Sequence, residues 1–162
     1  PYRNINQRVV DRFLVTLEPG HTIAPLTTRP TLLWPMIATA DVKLPLRYYH
    51  FWMLDSVAKQ EAEGGKLTPQ LEAFAETVRQ QTVEDMLCNP PDTILIDTFT
   101  LSQIGFSFHD FFTKSTAFEA LLQSYAQNDK LGFMDIYERV VDLPPPTRLT
   151  CMNIGVGLKS PA

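Results

Sequence analysis

The sequence predicts an α/β domain: a layered, mostly parallel central sheet flanked by helices, with an antiparallel edge strand at the C-terminus. Three observations lead there. Apolar runs of strand length alternate with segments of helical periodicity, the pattern of βαβ units. "TILID" at 93–97 is a clear buried strand, launched by the helix-stopping Asn89-Pro90-Pro91-Asp92. The last two apolar runs flank Pro144-Pro145-Pro146, and such prolines suit a turn or a sheet edge rather than a central strand.

Taken in order, residues 4–18 read as a helix: Val9, Val10, Phe13, Leu14 and Leu17 recur on one face, and Pro19-Gly20 ends it. "HTIAPL", 21–26, is a short strand. The segment that follows is apolar but interrupted by Pro30, Pro35 and Pro45, which exclude a long helix and predict a structured loop with one or two helical turns. "LRYYHFW" then predicts extended chain over 46–52, apolar on both alternating faces like a strand covered on two sides. "EAEGGK", 61–66, is a surface turn.

Thr68 caps the next helix with Pro69 at its first position. Leu71, Phe74, Ala75, Val78, Thr82 and Met86 form its inner face. After "TILID" and a loop at 98–109, Thr116 and Glu119 stand at capping-box spacing before Phe118, Leu121, Leu122 and Tyr125, a buried helical stripe. "LGFMDIYERVV", 131–141, and "TRLTCMNIGVGL" beyond the triple proline read as strands.

At 162 residues, 44% hydrophobic and 20% charged, residues 1–162 fit one globular α/β domain. Its 14 Lys and Arg are scattered and the net charge is −4, so no basic stripe exists to bind nucleic acid. No apolar run approaches the roughly 18 residues that span a bilayer. A chain opening "PYRNINQRVV" is expected to be one piece of a longer protein or to carry a processed terminus. Cys88 and Cys151 suit either a disulfide in an oxidising compartment or two buried thiols.

The familiar reaction signatures are absent: no GxxxxGK[ST] or GxGxxG loop, no HExxH, CxxC or GxSxG, and no Asp-x-Asp pair. Asp97 ends an apolar strand, where ligands gather in open α/β sheets; the alternative is that it braces the following loop through backbone N–H groups. Arg47 beside Tyr48, Tyr49 and Trp52 suits a sugar or phosphate site, or a core filled by aromatic rings with their polar tips at its edge. His50 and His109 are further catalytic candidates. With His21 they lie in three separate segments without metal-ligand spacing, so neither a metal nor a cofactor is expected. His109 and Asp110, adjacent on a helix, should point apart. Phe106, Phe108, Phe111 and Phe112 should dock their loop onto the core.

Three segments together resemble a known family. "HTIAPLTTRPTLLWPMIATADVKLPLRYYHFWML", "NPPDTILID" and "FSFHDFFTKSTAFEALLQSYAQNDKLGFMDIYERV" are similar, in order and spacing, to the extramembrane C-terminal domain of bacterial polytopic glycosyltransferases related to dolichyl-phosphate-mannose protein mannosyltransferases. The matching positions are Pro35, Arg47, Trp52, Pro91, Asp92, Asp97, Phe111, Phe112, Phe118, Tyr125 and Tyr137. The family's Asp-Pro helix cap is Ser115-Thr116 in this chain, and the chain continues past Arg139, where relatives tend to stop.

The resemblance implies a non-catalytic accessory or recognition domain of a membrane-embedded enzyme that uses a lipid-linked sugar. The domain would sit at the bacterial inner membrane and face the periplasm or cell exterior. Its partners would be the membrane-spanning part of the same chain and a lipid-linked sugar or glycan acceptor, with Arg47, Trp52 and Asp97 on the substrate side. The family's catalytic carboxylate lies between transmembrane helices, outside these residues. Two other readings remain: a stand-alone soluble binding domain or small hydrolase with a site near Asp97, and an interaction module with the aromatic run partly exposed.

Overall fold

A computed structural model describes residues 5–29, 33–34, 36–143 and 151. Helix α1, Ile5–Leu14, buries Val10 and Leu14, with Val9, Phe13 and Leu17 packed beside them. It stops at Leu14, short of the expected 18, because the backbone N–H and hydroxyl of Thr16 both turn back onto the Phe13 carbonyl, at 3.0 and 2.7 Å.

Strand β1, His21–Leu26, falls where expected. The loop behind it holds one helical turn, α2 (Met36–Thr39), and a two-residue strand, β2 (Val42–Lys43). β2 lies parallel to the start of β1, with His21 opposite Val42. On the other side of β1 runs β3, Thr93–Asp97, also parallel, with Ile23 opposite Thr93. β5, Met134–Arg139, is antiparallel to β3, and β4, Tyr125–Leu131, is antiparallel to β5. The order is β2-β1-β3-β5-β4.

The α/β class is as expected, but the antiparallel part is a whole hairpin. Leu131 ends β4, and Gly132 (φ 64°) opens a two-residue turn of the kind that fits strand twist. The single strand expected over 131–141 therefore splits. The strand expected beyond the triple proline lies outside the described residues, apart from Cys151.

Alternate residues of β1 and β3 feed two apolar clusters, as the period-2 pleat requires. Ala24, Leu26, Ile94 and Ile96 join one, with α3 (Leu54–Ala62), α4 (Pro69–Cys88), α5 (Phe108–Thr113) and α6 (Thr116–Leu122). Ile23 and Leu95 join the other, with α1 and α2. Helices thus cover both sides of β1 and β3, which is why every residue of "TILID" is buried. Phe51, Phe106, Phe108, Phe111, Phe112 and Phe118 make a chain of ring contacts at 5.0–6.3 Å in the first cluster, so the loop docks as expected.

α4 begins as the sequence predicts, with the Leu71 N–H donating to Thr68 Oγ1 at 3.3 Å. Its buried face centres on Ala75, Val78 and Thr82, which leaves Phe74 exposed at the margin, against expectation. α6 is capped by Ser115 rather than Thr116, and Tyr125 opens β4 instead of closing the helical stripe.

The largest correction is the aromatic run. Residues 46–52 form no strand; they are an irregular connection that buries Phe51 but leaves Tyr49 and Trp52 exposed. α3, unforeseen in the sequence, starts directly after it and buries Leu54, Val57 and Ala58. Cys88, the last residue of α4, is disulfide-bonded to Cys151 with Cα atoms 5.5 Å apart. No helix among the described residues is long and apolar enough to cross a membrane.

Candidate functional site at the sheet's switch point

The chain leaves β1, crosses one face through α2 to β2, then crosses the other face through α3 and α4 to β3. The strand order therefore reverses between β1 and β3. In open α/β sheets that reversal opens a crevice beyond the carboxyl ends of the two strands, where ligands bind.

Asp97 ends β3 at this point and is 3% exposed. Its Oδ2 accepts from Thr27 Oγ1 at 2.7 Å, which ties the end of β1 to the end of β3. Its Oδ1 accepts the N–H groups of Phe99 and Thr100, each at 2.9 Å, and the Thr100 hydroxyl also donates to Oδ2. Four donors match the lone-pair capacity of a carboxylate. Asp97 therefore braces the loop after β3, the second of its two sequence readings.

Arg47 lies in the irregular connection over 46–52, not in an extended strand. Its guanidinium grips the buried Asp85 of α4 through Nε (3.1 and 3.0 Å) and Nη2 (2.7 Å), and its own N–H donates to the same carboxylate at 2.8 Å. The hydrogen bond to Asp85 raises the Arg47 pKa, outweighing the opposing effect of burial. This pair clamps the aromatic connection onto α4, and the Phe51 N–H, donating to Thr27 O at 2.8 Å, fastens it to the end of β1.

Trp52 stands exposed at the end of the connection, its ring 6.5 Å from that of His50. His50 Nδ1 is buried and has no hydrogen-bond partner among the described residues. His109 lies on α5, and its Nδ1 is 3.3 Å from Asp110 Oδ1, so the two adjacent side chains do meet; both are exposed, and the pair is a surface contact. His21 sits at the opposite end of β1, with Nε2 2.8 Å from Thr93 Oγ1. The three histidines do not converge, and the described residues contain no group of three or more His, Cys, Asp or Glu placed to hold a metal.

Two features escaped the sequence reading. At the amino end of β3, Asp92 accepts from the Thr22 N–H (2.9 Å), Thr22 Oγ1 (2.8 Å) and Arg139 Nη2 (2.6 Å). Burial opposes its ionisation, but the Thr22 hydrogen bonds and the charges of His21 and Arg139 outweigh it and lower the pKa. Nearby, Tyr125 Oη donates to Pro91 O at 2.6 Å, and burial pushes the phenol up to about 12. Thr22, a polar residue at the start of the otherwise apolar run Ile23–Leu26, was the available signal, but it named no partner.

The second is a cleft of about 620 Å³ between α3, α4 and α5. Its charged wall residues are partly paired among themselves, Arg79 with Glu76 and Lys114 with Glu61. The Arg79 guanidinium also lies 4.4 Å over the Phe111 ring.

Of the predicted site residues, Trp52 and Asp97 share the switch-point end, Arg47 positions the segment that carries Trp52, and His109 lies elsewhere. The hydroxyls hydrogen-bonded to a carboxylate at that end are those of Thr27 and Thr100, both on Asp97. Comparison with family models, curated proteins and solved structures finds no match to the chain.

Proposed function

We propose that the domain is a non-catalytic recognition module of a membrane-embedded glycosyltransferase that uses a lipid-linked sugar. In this reading it works on the periplasmic or outer face of a bacterial inner membrane, against the membrane-spanning part of its own chain. One observation carries the proposal: the charged candidates, Arg47 and Asp97, are each consumed by a separate structural task. Most other positions of the family resemblance have such tasks too. Asp92 and Tyr125 fasten the amino end of β3, while Phe111, Phe112 and Phe118 fill the core. A motif spent on holding a fold is what a domain without its own reaction requires. The Cys88–Cys151 disulfide is in keeping with an oxidising compartment.

The test is made on the native gene product. An antibody to the domain should detect a protein far larger than 18.4 kDa that resists alkaline carbonate extraction from membranes. A soluble product of about this size would refute the proposal and move attention to a self-contained site.

A further inference from the structure

The cleft between α3, α4 and α5 combines apolar side chains with walls of both charges. Val57, Ala75 and Phe111, each at most 3% exposed, give it an apolar floor. Around them stand three cations, Lys66, Arg79 and Lys114, and three carboxylates, Glu61, Glu72 and Glu76. The formal charges of this lining cancel, so no net field draws in an anion such as phosphate or a bare cation.

Four of the six charges engage one another: Arg79 pairs with Glu76, and Lys114 Nζ stands 3.8 Å from Glu61 Oε1. Arg79 is pinned further, because its Nε donates to Phe111 O at 2.7 Å and its guanidinium lies 4.4 Å over the Phe111 ring. The side chain is 11% exposed, yet its Nη2 has no partner among the described residues. A guanidinium held in place with N–H groups to spare can receive a carboxylate without losing further rotamer freedom. Glu72, in the first turn of the same helix, has no ion-pair partner among the described residues. Lys66 is exposed in the turn before α4, where water and salt screen it.

The spacing of Glu72 and Arg79 selects the ligand. They are two turns apart on one face of α4, about 10 Å along its axis. The ammonium and carboxylate of a single amino acid are only about 3 Å apart. An extended chain advances about 3.3–3.6 Å per residue, so the two ends of a tripeptide span about 10 Å. Its middle side chain would then lie over Val57, Ala75 and Phe111, where an apolar group gains most. The volume of about 620 Å³ falls inside the range of about 300–1,000 Å³ usual for ligand sites.

We infer that this cleft binds a short peptide as a zwitterion, with its carboxylate on Arg79 Nη2, its ammonium on Glu72 and an apolar middle side chain on the floor. The site goes beyond the glycosyltransferase reading and does not depend on it.

The experiment is a ¹⁵N–¹H NMR titration of the 162-residue protein with alanyl-leucyl-alanine at millimolar concentration. The same peptide is run N-acetylated and C-amidated, and free leucine is run beside them. Shifts are expected in the amides of the cleft residues. Amidation should weaken binding about tenfold, since it removes a charge-assisted bond to a largely buried guanidinium; acetylation should weaken it about threefold, since Glu72 is exposed. Glu72→Gln should also cost about threefold, and with the acetylated peptide it should cost no more than either change alone. Phe74→Ala, off the cleft on α4, leaves binding unchanged. Arg79→Gln should match the effect of amidation; if that variant fails to fold, the amidated peptide tests the same contact. No shifts in the cleft, equal binding of the free and blocked peptides, or leucine binding as tightly as the tripeptide would each overturn the inference.

Discussion

Replacing both Cys88 and Cys151 by alanine removes a cross-link between residues 63 positions apart. The bond limits the unfolded chain by closing a loop of that length. The chain-entropy relation gives about 14 cal/mol/K for such a loop, or about 4 kcal/mol at 25 °C. Against a typical total of about 5–15 kcal/mol, that is a large share. Urea unfolding followed by far-UV circular dichroism is the assay. With a slope near 2 kcal/mol/M, the midpoint should fall by about 2 M. Wild type in reductant should shift by a similar amount, and the double variant should ignore reductant. Two reactive thiols in unreduced, denatured wild type would refute the pairing. A single disulfide with an unmoved midpoint would refute the entropic reasoning.

Asp97→Ala should destabilise the domain by about 3 kcal/mol, because it strands buried donors; Asp97→Asn keeps an oxygen for the two N–H groups and should cost markedly less by the same urea assay. Arg47→Met leaves the Asp85 carboxylate buried without its cation and should cost about 3 kcal/mol, and Arg47→Met with Asp85→Leu should recover most of that in a double-mutant cycle. The lowered pKa of Asp92 means that its contribution is present above the unfolded carboxylate value and is lost as pH falls through the folded one. Urea midpoints measured from pH 7 downwards should therefore fall less steeply for Asp92→Asn than for wild type. Tyr125 works at the alkaline end: the unfolded phenol ionises near 10 and the folded one at about 12, so stability drops across that interval. Tyr125→Phe should flatten the drop.

Elements announced by local chemistry were legible in the sequence. Proline and glycine bounded β1, the Thr68-Pro69 pair opened α4, and the apolar block of "TILID" stood out. The aromatic run misled because a short run that is apolar on both alternating faces is not specific to strands. What fixes that segment is Asp85, 38 residues away, and no local pattern encodes such a partner. β4 was hidden for the opposite reason: "YAQNDKL" is a polar edge strand whose pairing with β5 supplies what its composition lacks. At the site, the sequence located Asp97 at a strand end and offered its loop-bracing role. It offered partial exposure of the aromatic run as one alternative but could not decide it for Tyr49 and Trp52, since exposure depends on which helices follow.

The two rims of the sheet have a consequence of their own. β2 offers two residues, and β4 is broken by a register shift between Gln127 and Lys130, where Gln127, Asn128 and Lys130 are exposed. Short or bulged, charged borders discourage another chain from adding a strand. Neither border is a template for main-chain zippering, so a crowded neighbour has little to extend. Among the described residues, strand addition is therefore not a ready route to a partner, and these two borders are guarded against linking edge to edge with copies of the same chain.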